Sequence, residues 1–540
     1  MMPAALQRLD KYTISLICRY TTLQARASLA QTCTLFSDSA LNALWKEQSI
    51  PNLFLNVLPH NTVRLTKKDG YLVMELNPDQ DVPTDDQWRR VAMYGARIKS
   101  TSTTGEESDA LAVYFSEDIL SLWSSYTQRR GMSRAFCPRA IELRWNIRDP
   151  HAMQRELPFI LPSVLVRLTV SDHVPAHLRS VLAATLPALA SPALKRLSIG
   201  NVNCDEAMQL DPAVSSLVRS CPALESVSLH HASGACVHAL SELPALRSVE
   251  VVTLKDVSCS ADGGPSFPAL MNFSGMANLR DILPLMEMLK HAQSIQKLNI
   301  NYVSSEGHPE PHFAQLVCAV IRVCGAKQLS SLTLGDFTPL GDLFTLALDD
   351  IRPLLVFSRL ETLSLTWPGY AGFSNQQIHT IAKALPLLKD LNIVPRTRMT
   401  PNNQSTSAPT SSIPHTIRIT PISLLSLALH CPRLEHLTMP LDASPLLSSL
   451  EARPGRGIVQ GCLRHLTTLA IVGPNGDGLW QPPSMVSLAM FLSDVFPNLQ
   501  SIQAQNAPPS FASDISGMVH LMAVVRNRER RGQLHVMYYI

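Results

Sequence analysis

One short phrase returns along most of the chain: an aliphatic residue, two residues, a second aliphatic, one residue, a third. It is clearest at Leu224/Val227/Leu229 and recurs at Leu194/Leu197/Ile199, Leu246/Val249/Val251, Ile295/Leu298/Ile300, Leu329/Leu332/Leu334, Leu360/Leu363/Leu365, Leu388/Leu391/Ile393, Leu434/Leu437/Met439 and Leu466/Leu469/Ile471. Looser copies stand at Leu165/Leu168/Val170 and Leu499/Ile502/Ala504, and the loosest at Ala140/Leu143/Trp145 and Leu270/Phe273/Gly275. Successive first anchors lie roughly 30 residues apart, an interval that calls for one supersecondary unit per copy.

The second and third apolar positions alternate with small polar ones, the period of a short strand with one buried face. Between the copies, Phe313/Leu316/Val317/Val320/Ile321, Ile378/Ile381/Ala382/Leu385 and Met485/Leu488/Ala489/Leu492/Phe496 carry the spacing of amphipathic helices. Prolines at Pro222, Pro386, Pro432 and Pro497 stop several of these helices just before the next strand. A strand and a helix of this size cannot bury their own apolar faces, so neighbours must stack. The expected fold is an α/β solenoid, a leucine-rich-repeat horseshoe with a parallel concave sheet and convex helices. Such a fold grows by adding repeats, so a length of 540 residues is no obstacle.

A formal net charge of +3, from 46 basic and 43 acidic side chains, argues against nucleic acid or an acidic membrane as the main partner. Met1-Met2-Pro3 opens no signal-peptide run, and no apolar stretch is long enough to span a bilayer. The expectation is a soluble protein of the cytoplasm, the nucleus or both. The 11 cysteines form no Cys-x-x-Cys pair. Cys137, Cys221 and Cys431 each precede a proline ahead of a repeat and read as small buried hydrophobes.

Residues 5–50 break the pattern. Leu6, Leu9, Ile14 and Ile17, then Ala27, Leu29, Ala30 and Phe36, then Ala40, Leu41, Leu44 and Trp45 mark three short amphipathic helices with too little core to stand alone. The run from Leu29 to Trp45 resembles the second half of a fungal F-box. The first half departs from that pattern, with Asp10 where proline is usual and Tyr20-Thr21-Thr22 in place of a leucine-proline corner. Ile50–Pro59 and Asp85–Lys99 are similar to segments that follow the F-box in mushroom-type F-box proteins with leucine-rich repeats. The resemblance implies docking on a Skp-type adaptor and, through it, a cullin scaffold, with Leu6, Leu9, Ile14, Ile17, Leu41, Leu44 and Trp45 as the adaptor-binding side chains.

The connecting region, 51–134, holds a hairpin from Val63 to Leu76, a solvated loop from Ser100 to Asp109 and a helix from Ser116 to Tyr126. The solenoid then occupies 135–540. Arg396 to Pro414, rich in Ser, Thr, Asn and Pro, reads as a mobile insertion, and Leu441 to Gly461 as a second excursion. A last helix, Ile515 to Arg526, precedes a basic run and a strand-like Leu534 to Tyr539.

Catalytic patterns are missing: no Gly-x-Ser-x-Gly, no His-Glu-x-x-His and no dinucleotide fingerprint. Gly473 to Gly478 lacks the lysine of a phosphate loop, and His230-His231 lacks a third ligand. No enzyme, cofactor or metal is expected. Function falls to the polar residues between the leucines, where Arg196, Ser228, Glu250, Lys297, Asn299, Thr333, Asp390, Asn392 and His436 are the candidate contacts for an unknown protein substrate. The reading is a substrate-recruiting subunit of an SCF-type ubiquitin ligase. The alternatives are a leucine-rich scaffold without ligase association and a GTPase-activating-type regulator, for which no protruding arginine stands out.

Overall fold

Every copy of the phrase yields a strand in the computed structural model of the chain. The structure describes residues 11–32, 34–68, 71–103, 112–147, 150–172, 179–200, 210–257, 267–303, 310–337, 344–396, 419–420, 422–440, 468–472, 501–505 and 509–530, with single residues between 489 and 499. The chain forms two compact units, Met1–Thr253 and Leu254–Ile540.

The first unit opens with helices α1 (Lys11–Tyr20), α2 (Leu23–Thr32), α3 (Thr34–Trp45) and α4 (Ile50–Val57). Phe36 and Ala40 of α3 close a small core with Ile14 and Cys18 of α1. Strands β1 (Val63–Lys68) and β2 (Tyr71–Leu76) form the antiparallel hairpin that the alternation predicts, with Lys68 opposite Tyr71. Next come α5 (Asp85–Gly95), β3 (Ser100–Ser102), β4 (Val113–Phe115), α6 (Glu117–Arg130), β5 (Glu142–Ile147), α7 (Pro150–Ile160), β6 (Arg167–Asp172), α8 (Arg179–Thr185), β7 (Arg196–Ile199), α9 (Asp211–Arg219), β8 (Ser226–Ser233), α10 (Gly234–Ser241) and β9 (Ser248–Lys255). β4 extends the hairpin by pairing parallel to β2. Its Phe115 is held by α7, because the Glu156 carboxylate accepts from the Phe115 N–H and Arg155 donates to the Phe115 carbonyl.

Aromatic side chains from across this region pack together. Phe136 lies 4.9 Å from Phe54, 5.1 Å from Phe115, 5.4 Å from Trp123 and 5.8 Å from Phe159 between ring centroids. The segment read as a solvated loop from Ser100 needs correction at its start. Residues 100–102 are β3, paired parallel with β5, and Thr101 is buried. A sequence count of Ser and Thr cannot register that a neighbouring strand takes up the backbone.

In the first unit the ladder runs β9-β8-β7-β6-β5-β3. Its register carries the phrase without a slip: Leu143 stands opposite Leu168, Leu168 opposite Leu197, and Leu197 opposite Val227. The second unit contains β10 (Asn272–Asn278), α11 (Leu279–Leu289), β11 (Lys297–Val303), α12 (Glu310–Gln328), β12 (Ser331–Asp336), β13 (Phe344–Leu346), α13 (Leu348–Ile351), β14 (Thr362–Ala371), α14 (Asn375–Ala384), β15 (Asp390–Arg396), α15 (Ile422–His430), β16 (His436–Pro440), β17 (Thr468–Val472) and β18 (Ser501–Gln505). There the parallel order is β10-β11-β12-β14-β15-β16-β17-β18, and the middle positions align as Phe273, Leu298, Leu332, Leu363, Leu391, Leu437, Leu469 and Ile502. Leu224, Leu298, Leu363 and Leu437 are all buried. Each fully buried aliphatic side chain contributes about 1.5–3 kcal/mol by leaving water. This is an α/β solenoid of strand-helix repeats with a small all-α module at its N-terminal end.

Two features of the repeat go beyond the aliphatic phrase. The residue three before the first anchor is buried and accepts the anchor's N–H: Cys137 from Ala140, Ser191 from Leu194, Cys221 from Leu224, Phe267 from Leu270, Phe357 from Leu360, Leu385 from Leu388 and Cys431 from Leu434. The cysteines read as packing groups belong to this position, and burial pushes the Cys137 and Cys431 thiols up to about 12. In most described repeats the residue just after the anchor then offers one carbonyl to two N–H groups of the next repeat. Val166 takes Lys195 and Arg196, Lys195 takes Glu225 and Ser226, Ser330 takes Glu361 and Thr362, and Glu361 takes Lys389 and Asp390. These forks begin the ladders and hold the register.

The C-terminal helix spans Pro509–Arg530, longer than the Ile515 to Arg526 expected. Residues 397–414 of the insertion, 441–461, Gly473 to Gly478 and Leu534 to Tyr539 lie outside the described residues.

Candidate protein-binding surfaces

Two surfaces correspond to the sequence candidates: the outer side of the N-terminal helices and the polar row between the anchors. Leu6 and Leu9 lie outside the described residues. Ile14 does not belong to an open face. It is only 4% exposed, because positions 14 and 18, one helical turn apart, both turn toward Phe36 and Ala40. Ile17 remains 37% exposed. Leu41, Leu44 and Trp45 are half-buried, and the Trp45 ring stacks on Tyr94 of α5 at 4.7 Å.

The open apolar face of α1 is carried by residues that the sequence reading passed over. Tyr12 and Tyr20 stand eight residues apart and are 72% and 81% exposed, and Leu23 at the start of α2 is 64% exposed. Helical spacing places Tyr12, Leu16 and Tyr20 on one stripe, opposite Ile14 and Cys18. Both stripes are visible in the sequence, but only the packing of α3 decides which of them is covered.

The module is joined to the first ladder by the same fork as the repeats. The carbonyl of Lys46 accepts the N–H groups of Lys99 and Ser100 at 2.9 and 3.0 Å, and Lys99 in turn accepts those of Ile141 and Glu142. The N–H of Gln48 donates to the Ser100 carbonyl, and Arg97 binds both Asp38 and Asn42 of α3. The end of α3 thus closes the edge of β3, where an open strand would otherwise present unpaired groups.

Along the polar row much of the hydrogen bonding runs between neighbouring strands. Asn299 Nδ2 donates to Ser274 Oγ at 3.0 Å and Asn392 Nδ2 to Ser364 Oγ at 2.9 Å, while the Oδ1 atoms of both asparagines are buried without a partner among the described residues. Ser228 donates to Glu250 at 3.2 Å. Asp390 accepts from Thr362 at 3.1 Å and lies 3.9 Å from His436 Nε2. Thr333 is half-buried. Arg196 and Lys297 are exposed and make no ion pair with a described residue. At the row's N-terminal margin, Lys195–Glu225 and Lys389–Glu361 pairs at 2.8 Å link successive repeats, and the lysine bond to each carboxylate is the main cause holding both glutamates below the usual range. The row brings together small donors and acceptors at strand spacing.

Among the described residues, no group of three or more His, Cys, Asp and Glu is placed to hold a metal. His231 is buried 4.0 Å from Asp211, and His230 is half-buried beside it. Among the same residues no helix is long and apolar enough to cross a membrane.

No family model matches the chain, and no curated protein matches it. Solved structures do. The chain is similar to one described as the Rad7 and Elc1 complex in yeast, at 14% identity over 68% of this chain and 86% of that one, with a TM-score of 0.33. It is also similar to an internalin from Listeria monocytogenes, at 13% identity over 81% of this chain and 88% of that one, with a TM-score of 0.31.

Proposed function

We propose that the chain is a non-catalytic recruiting subunit of an SCF-type ubiquitin ligase. Helices α1 and α2 dock a Skp-type adaptor carried on a cullin scaffold, and the polar row holds a protein substrate. The observation that carries the docking half is the second apolar stripe of α1, where Tyr12, Tyr20 and the adjoining Leu23 stay exposed although Ile14 and Cys18 already supply the helix with a buried face. Aromatic anchors of this kind concentrate interface energy. The polar row suits an extended or folded polypeptide held by many hydrogen bonds, and its lack of interleaved aromatic side chains does not suit single-stranded nucleic acid. Catalysis, cofactor and metal lie outside the chain in this reading, and ubiquitin transfer follows from proximity. The chain works in the cytoplasm, the nucleus or both.

The test is a pull-down with purified Skp-type adaptor, comparing wild type with Tyr12→Asp/Tyr20→Asp, alongside circular dichroism. Both substitutions sit on the open stripe, so the fold should persist while adaptor capture is lost. Full binding by the double variant, or none by wild type at about 10 μM adaptor, removes the ligase reading. The scaffold reading then takes its place. It has its own support in the Lys46 fork and the Trp45–Tyr94 stack, which give the helices work as an end cap whether or not an adaptor binds.

A further inference from the structure

A groove of about 1060 Å³ opens between the helical module and the segment that enters the first ladder. Its charge is one-sided. Six cationic residues line it (Arg19, Arg26, Lys46, Arg97, Lys99 and Arg139), against two anionic ones, Asp38 and Glu47. Both anions are already used, Asp38 by Arg97 at 2.7 Å and Glu47 by Lys46 at 3.0 Å. Arg19, Arg26, Lys99 and Arg139 therefore face one space with no carboxylate partner among the described residues. Four cations with no carboxylate partner among the described residues, around one groove of a chain whose formal net charge is only +3, make a one-signed local field.

Two further donors sharpen the chemistry. The Nε atoms of Arg26 and Arg97 are buried and have no hydrogen-bond partner among the described residues. Arg26 is anchored through Nη1 on the Ala43 carbonyl and Nη2 on the Arg19 carbonyl, and Arg97 through Nη1 on Asp38 and Asn42. Guanidinium groups fixed in this way hold their charge at the wall of the groove, and phosphate oxygens are acceptors that such charges favour.

We infer that this groove binds a small anion carrying several phosphate groups. One carboxylate or one phosphate cannot balance four cations. A nucleotide is disfavoured because no aromatic residue lines the groove to stack a base. An acidic peptide is disfavoured because the backbone groups of the walls are spent: the Lys46 carbonyl on Lys99 and Ser100, and the Arg19 and Ala43 carbonyls on Arg26. No free strand edge remains there for a peptide to pair with. The groove's size matches small-molecule sites, which run to about 1,000 Å³.

The experiment titrates the full chain with inorganic triphosphate at constant ionic strength, by calorimetry and by thermal shift. Saturable binding at one equivalent with a raised Tm is expected. Arg19→Gln/Lys99→Gln/Arg139→Gln removes three exposed cations of the groove and should weaken binding by about tenfold or more. Lys67→Gln/Arg90→Gln/Arg134→Gln removes the same charge from exposed positions elsewhere and should leave it unchanged. Arg139→Gln alone serves if the groove triple fails to fold, and should weaken binding by about threefold. Equal losses in the two triples, or an unchanged affinity in Arg139→Gln, overturn the site. So does capture of a phosphorylated peptide by wild type that ignores triphosphate at about 1 mM. The Arg19 guanidinium lies 6.0 Å from the Tyr20 ring centre, so the two results are separated in Arg139→Gln, which alters neither α1 nor α2: it should lose triphosphate affinity and keep adaptor capture.

Discussion

Gly95 shows how tightly single residues are placed in this chain. It ends α5 directly against the carbonyl of Phe136, whose ring sits among Phe54, Phe115, Trp123 and Phe159. A methyl group there would meet backbone, which cannot swing aside, so Gly95→Ala should destabilise the first unit by about 1–3 kcal/mol in urea unfolding. Leu363 illustrates the opposite case. It is 1% exposed in the middle of its column, so Leu363→Ala removes packing without adding strain and should cost about 2–5 kcal/mol. His430 couples stability to pH. Burial first, then His379 and Lys383, push its pKa below the ordinary 6.5. The unfolded chain then binds this proton more readily than the folded one, so the stability present above 6.5 is lost as pH falls below it. The α14–α15 contact, with His379 and His430 at 4.7 Å, should therefore loosen in mild acid. In His430→Gln the fall in Tm between about pH 7 and about pH 5 should be smaller than in wild type.

At the scale of elements, the sequence marks most starts well. α5 and α14 each begin with a capping box, Thr84 with Gln87 and Ser374 with Gln377. Replacing Thr84 by alanine should cost about 1 kcal/mol, read as a shift in urea midpoint without change of slope. The strands were legible because three aliphatic positions at fixed spacing admit one register: a slip by one residue would turn every leucine outward. The buried position three residues earlier was not read as part of the repeat. It is filled by Cys, Ser, Phe or Leu, and what unites these is the hydrogen bond its carbonyl accepts rather than a side-chain type. The aromatic core of the connecting region was equally hard to read. Its members are scattered from Phe54 to Phe159, with no period to connect them.

For the first unit as a whole, the decisive feature is the fork at Lys46, which continues the ladder's own bonding pattern into the helical module. Removing residues 1–48 should therefore not release intact repeats. We expect the truncated chain to expose β3 and to aggregate, seen as loss of the monomer peak in size-exclusion chromatography; a monomeric, cooperatively unfolding product would show that the module is dispensable. The same attachment leaves the open stripe of α1 in a defined position.

The sequence by itself determined the repeat, the parallel alignment of its leucines, the hairpin from Val63 to Leu76 and the polar character of the row between the anchors. All of these rest on local spacing, and period and register are properties of a chain read in one dimension. Only the tertiary structure decided that Ile14 is covered while Tyr12 and Tyr20 are not, since α1 carries apolar residues on both sides and the choice belongs to Phe36 and Ala40 of α3. Tertiary structure likewise decided that residues 100–102 form a strand. It also gathered Arg19, Arg26, Lys99 and Arg139, up to 120 residues apart, around one groove. Burial and charge density depend on which distant segments meet, and nothing in the spacing of single residues carries that information.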